Sequence, residues 1–248
     1  QITAKWIPDR WKDRVVLFCP SWEEHDYPNR VDAPESVIGN LSKTRQYLVE
    51  NSPSRYIGLL DDDLSFYERG PVQLTKRHKM QDMGDYLDLM EKWLKEGDVY
   101  CTISNPFMCH TNPEEYYYGK SSWTHFMDTN YMLTHDIRFD VIRCYSDFHV
   151  PLAVLESGHR LRITGKYIAS EKKANAPGGC STYRTAEMNR NSVFKLRELH
   201  PKYVTVKDCP GATNQTLVID VKMRIAFKKA YDENVVNKPV GNSLDVFM

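Results

Sequence analysis

Three consecutive carboxylates, Asp61, Asp62 and Asp63, follow directly on the apolar run Tyr56-Ile57-Gly58-Leu59-Leu60. Adjacent anionic side chains repel one another, and a hard cation placed among them lowers that cost. Mg²⁺ or Mn²⁺ takes one or two protein carboxylates and completes its shell with water and substrate phosphates. The triplet therefore points to a metal–diphosphate site. Asp63 is the first candidate ligand; Asp61 would help hold the metal or a ribose, and Asp62 would orient either. The alternative is a solvated turn at a strand end, where Asp is common.

A fourth carboxylate, Asp147, stands in Ser146-Asp147-Phe148-His149-Val150-Pro151. Proline is tolerated in the first turn of a helix, which puts the helix start near His149 or Val150 and Asp147 in the turn before it. From there Asp147 could take the proton of a hydroxyl nucleophile. The alternative is a carboxylate that caps the helix or pairs with its dipole. Arg45, in Thr44-Arg45-Gln46, lies on a helix just before the apolar run and could reach a bound nucleotide, whereas a helix arginine is by default exposed. Between residues 158 and 207 eleven Lys and Arg stand against only Glu171, Glu187 and Glu198. A basic half on a chain of zero net charge suggests a polyanionic partner for that half, contacted by Lys172, Lys173, Arg184 and Arg190. The competing account is a solvated basic face. Tyr116, Tyr117 and Tyr118 could stack a sugar or a base, or pack against the core.

Regular elements must hold these residues in place. An apolar run without polar alternation reads as a strand buried on both faces, as in parallel sheets. Ligands of open α/β sheets bind just beyond the carboxyl ends of such strands. Residues 14–19 read as an earlier strand, 21–34 as a loop, and the second half of 36–50 as a helix. Strand, helix, strand implies a parallel pair with a crossover. Residues 84–96 form an amphipathic helix with Tyr86, Leu87, Met90, Trp93 and Leu94 on one face, ended by Gly97. Further strands are expected at 99–104, 126–133, 160–169 and 203–206, and a basic helix at 182–200 after the turn Ala176-Pro177-Gly178-Gly179-Cys180. Val221, Met223, Ile225 and Phe227 alternate with Lys222, Arg224, Ala226 and Lys228, the pattern of a half-exposed strand. Residues 1–233 read as one α/β domain and 234–248 as a C-terminal tail.

With 248 residues, 41% hydrophobic and 27% charged, the chain has the composition of a globular domain able to bury a substantial core. No apolar run reaches the length of a membrane span and no signal peptide is visible. Six cysteines lie scattered without C-x-x-C spacing, which argues against a zinc site and for a reducing, cytoplasmic setting. The P-loop and dinucleotide fingerprints are absent, as is a nucleophile elbow. The chain starts at Gln1, so a segment upstream is expected to be cut or missing.

Alternating β and α elements, a strand ending in Asp61-Asp62-Asp63, and an acidic residue before a later helix resemble the GT-A glycosyltransferases. More narrowly, four stretches resemble the TET/JBP-associated glycosyltransferases found mostly in bacteriophages. They are Thr44-Arg45-Gln46; Leu60-Asp61-Asp62-Asp63-Leu64-Ser65-Phe66; Ser146-Asp147-Phe148 with Leu155-Glu156-Ser157-Gly158; and Gly178-Gly179-Cys180-Ser181-Thr182-Tyr183-Arg184. The resemblance implies a GT-A-like (Rossmann-like), mostly parallel central sheet flanked by helices, with a first strand upstream of Gln1. It implies a metal-dependent enzyme that uses Mn²⁺ or Mg²⁺ to move a sugar from a UDP-sugar. The acceptor would be the hydroxyl of 5-hydroxymethylcytosine, or a related hydroxymethylpyrimidine, in DNA. The setting would be the cytoplasm of a phage-infected bacterium. By the same resemblance a histidine would complete the metal shell; His200 stands first, with His149 and His159 as alternatives, each also readable as structural. Three readings stay open beside this one: a protein or glycan acceptor, a GT-A-like nucleotidyltransferase, and a nucleic-acid-binding module without catalysis.

Overall fold

The computed structural model describes residues 3–24, 27–70, 77–104, 114–121, 123–171, 185–206 and 223–237. A 3₁₀ turn (Thr3–Trp6) and helix α1 (Asp9–Lys12) lead to β1 (Leu17–Cys19), β2 (Arg30–Asp32) and α2 (Leu41–Asn51). Then come β3 (Tyr56–Leu60), β4 (Leu64–Arg69), β5 (Arg77–Lys79), α3 (Gly84–Lys95), β6 (Tyr100–Ser104), β7 (Glu115–Tyr116) and β8 (Thr124–Asp128). Helices α4 (Thr129–Thr134) and α5 (Ser146–Glu156), strand β9 (Arg162–Glu171), and helices α6 (Ala186–Leu199) and α7 (Met223–Tyr231) follow.

The central sheet has the order β3-β8-β6-β9-β4-β5, with β7 also paired to β9. Side chains of its inner strands alternate between two cores, as a strand buried on both faces must. Tyr100, Met127 and Ile163, with Ile57 and Leu59 of β3, join residues of α2, α4, α5, α6 and α7 on one face. Cys101, Ile103, Phe126, Tyr167 and Ala169 meet Trp6, Trp11 and the apolar stripe of α3 on the other. The architecture is α/β, with helices on both sides of the sheet. Helix α3 follows its sequence pattern: Tyr86, Leu87, Met90, Trp93 and Leu94 are all buried, and Gly97 at φ +102° follows its end.

Other expectations need correction. The sheet is mixed, not mostly parallel: among the described strands only β6 and β9 run parallel in it. Strand β1 pairs in parallel with β2, inside the expected loop, to make a separate two-stranded sheet; β3 pairs with β8 instead. As the end strand of its sheet, β3 is half-buried, not covered on both faces. A side chain at position 58 would force Phe126 of β8 to move, because a Cβ there would come 2.4 Å from its Cε1.

The expected strand at 126–133 ends at Asp128, whose carboxylate accepts from the N–H groups of Asn130 (3.1 Å) and Tyr131 (3.3 Å) and starts α4. The segment 203–206 forms no strand; the N–H groups of Tyr203 and Val204 fold back onto the His200 carbonyl at 3.1 and 2.9 Å. Where alternation predicts a strand near the C-terminus, α7 is a helix. Ala226, Phe227 and Ala230 recur at helical spacing and are buried, and Phe227 stacks on Phe148 of α5. Residues 232–236 continue that helix as a π turn, across the expected start of the tail. No helix among the described residues is long and apolar enough to cross a membrane.

Candidate functional site

The acidic turn links β3 to β4, which are not neighbours in the sheet, so no hairpin ladder holds it. Thr3 takes that role. Its hydroxyl donates to the Asp61 carbonyl (2.7 Å) and accepts from the Leu64 N–H (2.8 Å), while its own N–H donates to the Asp62 carbonyl (3.0 Å). The Asp61 N–H donates to the carbonyl of Trp123 at 3.1 Å, a residue held at φ +59°.

Arg45 arrives from α2, whose start is capped by Asn40 accepting from the Lys43 N–H at 3.3 Å. Ser42, Arg45 and Gln46 lie with Val49 on the buried face of this helix, so the default of an exposed helix arginine does not hold. Only 6% exposed, Arg45 donates from Nη2 to Asp61 Oδ1 at 2.8 Å. Burial by itself would lower the guanidinium pKa, but the charge of Asp61, with smaller contributions from Tyr100 and Asp147, raises it. Arg45 and Asp61 thus form a partly buried ion pair, and Asp147 acts on the same cation only through its charge.

Asp147 sits in the first turn of α5, one-third exposed, with Lys120 Nζ at 3.8 Å. The helix starts at Ser146, earlier than proline rules predict, and takes Pro151 into its interior. Tyr145, immediately before it, is left-handed at φ +68° and makes no side-chain cap. Non-glycine residues rarely adopt this conformation, and they cluster where function constrains the backbone. Among the described residues there are three, Trp123, Asp136 and Tyr145, and two of them flank this site.

The Asp63 carboxyl is pushed above its ordinary value, first by burial and then by Asp62 and Asp61. Of the three carboxylates of the turn, Arg45 pairs with Asp61. Among the described residues no three His, Cys, Asp or Glu side chains converge as a ready-made metal cage. Asp62 and Asp63, with Asp61 already paired to Arg45, fit a hard cation that draws its other ligands from water and a diphosphate.

His200 lies in a different cluster, buried at the end of α6. Its Nε2 is 2.8 Å from Nδ1 of His149 and its Nδ1 is 2.5 Å from Oε2 of Glu156, so both ring nitrogens are engaged by α5. His149 is neutral, pulled down to about 3 by burial and then by His200. His159 is exposed and edge-on to the Tyr131 ring at 4.6 Å. Tyr117 and Tyr118 pack on Tyr231 of α7, with ring centroids 6.4 and 5.4 Å apart.

Arg190 is exposed on α6; Lys172, Lys173 and Arg184 lie outside the described residues. Much of the basic excess is offset by acids from elsewhere in the chain. Arg160 and Arg162 pair with Asp98, Arg162 also with Glu96 and Glu115, Lys166 with Glu68, and Lys202 with Glu233.

Sequence reasoning missed Tyr100 and His125. Both are fully buried beneath the site, with the Tyr100 phenol bonded to His125 Nδ1. His125 is held well below its ordinary pKa by burial and then by Arg45. The only available signal was a histidine inside an apolar strand, which reads as core. Together with His149 it predicts an acid-sensitive fold. Both are neutral when folded and titrate near 6.5 when unfolded, so between those values the unfolded chain binds more protons. Their stability contribution is full above about pH 6.5 and is lost on acidification, by at most about 1.4 kcal/mol per pH unit for each histidine. The urea midpoint should fall between about pH 7.5 and about pH 5.5; an unchanged midpoint would mean that both histidines take up protons in the fold as readily as in the unfolded chain.

Comparison with protein-family models and with curated proteins finds no match to this chain.

Proposed function

We propose that this chain is a metal-dependent glycosyltransferase that moves a sugar from a UDP-sugar to the hydroxyl of a 5-hydroxymethylpyrimidine in DNA. The observation that carries the reading is the acidic turn at the end of β3, where the buried guanidinium of Arg45 holds Asp61, with Asp147 at the start of α5 acting on the same cation through its charge alone. Sugar transfer needs charge compensation at a leaving diphosphate and a base at the acceptor hydroxyl, side by side.

In the proposed reaction the Asp147 carboxylate takes the acceptor proton and the freed oxygen attacks the anomeric carbon with inversion. The bond from that carbon to the diphosphate oxygen breaks, and the diphosphate leaves with the electron pair. Asp62 and Asp63 would hold Mn²⁺ or Mg²⁺, which supplies positive charge against the leaving group. Arg45 fixes Asp61, and Lys120 places a positive charge 3.8 Å from the Asp147 carboxylate.

The DNA acceptor rests on the resemblance and on the basic residues after Gly158, fewer of which are free than their number suggests. Arg143, shortly before Asp147 in the chain, and Lys195 of α6 line an open cleft of about 420 Å³, but Glu187 lines it too and Lys195 is paired with Glu198, so the cleft adds little to the case for a phosphate-bearing acceptor. The test is UDP release from a panel of UDP-sugars with Mn²⁺, with and without hydroxymethylated DNA. Release that requires the modified DNA is the expected result. Release with a protein or glycan alone would move the acceptor, nucleotide joined to product would make the chain a nucleotidyltransferase, and no release from any donor would end the reading.

A further inference from the structure

Pro151 stands inside α5, where an ordinary residue would donate its N–H to the carbonyl four residues earlier, that of Asp147. Proline has no N–H, so this carbonyl lacks its helical partner. Ser121 replaces it. The Ser121 N–H donates to the Asp147 carbonyl at 3.2 Å, and Ser121 Oγ lies 3.4 Å from the same oxygen. Ser121 is fully buried, and its side chain acts on the Tyr100 phenol, opposing the rise in pKa that burial causes there. Tyr100 in turn bonds Nδ1 of His125, whose buried Nε2 has no hydrogen-bond partner among the described residues. A buried polar chain is costly unless fully satisfied, and this one is not. It ends at the backbone of the candidate base, two residues after the left-handed Tyr145.

We infer that Ser121, Tyr100 and His125 form a positioning chain that sets the Asp147 backbone, and with it the direction of the carboxylate. Pro151 is what frees the Asp147 carbonyl to join that chain. The inference rests on the proposed role of Asp147 as the base. Tyr100 and His125 stand on the paired strands β6 and β8 in the sheet interior. The start of α5 is thereby referenced to the sheet, not only to its own helix. Arg45 and Asp147 are the charged groups that act on the chain.

Two variants test this. Pro151→Ala restores an N–H that competes with Ser121 for the Asp147 carbonyl, and Tyr100→Phe removes the middle link while keeping the ring. Each should lower kcat by about ten- to a hundredfold at an unchanged donor KM, since small misplacements of a reacting group cost that much. Pro151→Ala should do so at an equal or higher urea midpoint, because alanine suits a helix interior far better than proline. The Ser121 amide, buried and bonded to the Asp147 carbonyl, should be protected from hydrogen exchange in the wild-type protein and lose that protection in Pro151→Ala. A merely structural role would lower stability and leave kcat of the folded protein alone. Wild-type kcat in both variants, with Ser121 protection unchanged, overturns the inference. If the wild-type protein transfers no sugar, the role of Asp147 falls, while Ser121 exchange in Pro151→Ala still decides whether the carbonyl is held as described.

Discussion

Asp63→Asn is expected to reduce sugar transfer by about a thousandfold or more while making the metal-free protein more stable. The two effects have one cause. Burial and the neighbouring Asp62 and Asp61 raise the Asp63 pKa, so the folded protein favours the protonated acid. Such a group contributes stability at low pH and loses it as pH rises through the folded-state value. At neutral pH the ionised carboxylate is a net cost, and asparagine removes it. The gain in urea midpoint should therefore be present near pH 7 and vanish below about pH 4, where the unfolded carboxyl is also protonated. Added Mn²⁺ should raise the midpoint of the wild-type protein and not that of the variant, since a ligand stabilises only the state that binds it. Full turnover of Asp63→Asn, or of the wild-type protein in EDTA, would remove the metal from the mechanism.

Arg162→Met is expected to cost about 3–5 kcal/mol of unfolding free energy, although no part of Arg162 has a role in the proposed chemistry. Its side chain is 15% exposed and reaches Glu96 at 2.8 Å, Asp98 at 2.8 Å and Glu115 at 3.0 Å. The guanidinium also lies 4.4 Å from the centre of the Trp93 ring. Asp98 is the costly partner, only 3% exposed and left with Arg160 alone after the substitution. Methionine keeps the apolar stem and removes the charge, so the loss reports the unpaired carboxylate and not a cavity. Urea unfolding at neutral pH measures it, and a loss under about 1 kcal/mol would show that Arg160 is enough.

What could be read in the sequence was local. The stripe of α3 repeats at helical spacing within one element, and its five apolar residues are all buried. Asp61, Asp62 and Asp63 do stand at the end of a strand. Arg45 and Asp147 could be picked out singly, but their approach depends on where α2 and α5 pack, which no spacing within either helix records. Pro151 misled for the same reason: the group that satisfies the Asp147 carbonyl is Ser121, from another segment. Strand alternation in 221–228 was real but short, and Ala226, Phe227 and Ala230 carried a helical period through the same residues. The mixed character of the sheet is set by pairings between distant strands, above all those of β9 with β4, β6 and β7.

That dependence on β9 bears on how the chain is made. Leu64 and Phe66 of β4 are wholly buried in the finished fold, yet the register partner of Leu64 is Glu171. At about 5–20 residues per second, a ribosome exposes this apolar strand for several seconds before its partner is synthesised. Until then β4 has an open edge, the state in which strands pair with the wrong chain. The acidic turn immediately before it limits that hazard, since Asp61, Asp62 and Asp63 give every nascent copy the same negative charge beside the sticky strand. The same carboxylates would thus repel other nascent chains during synthesis, before a metal has anything to bind.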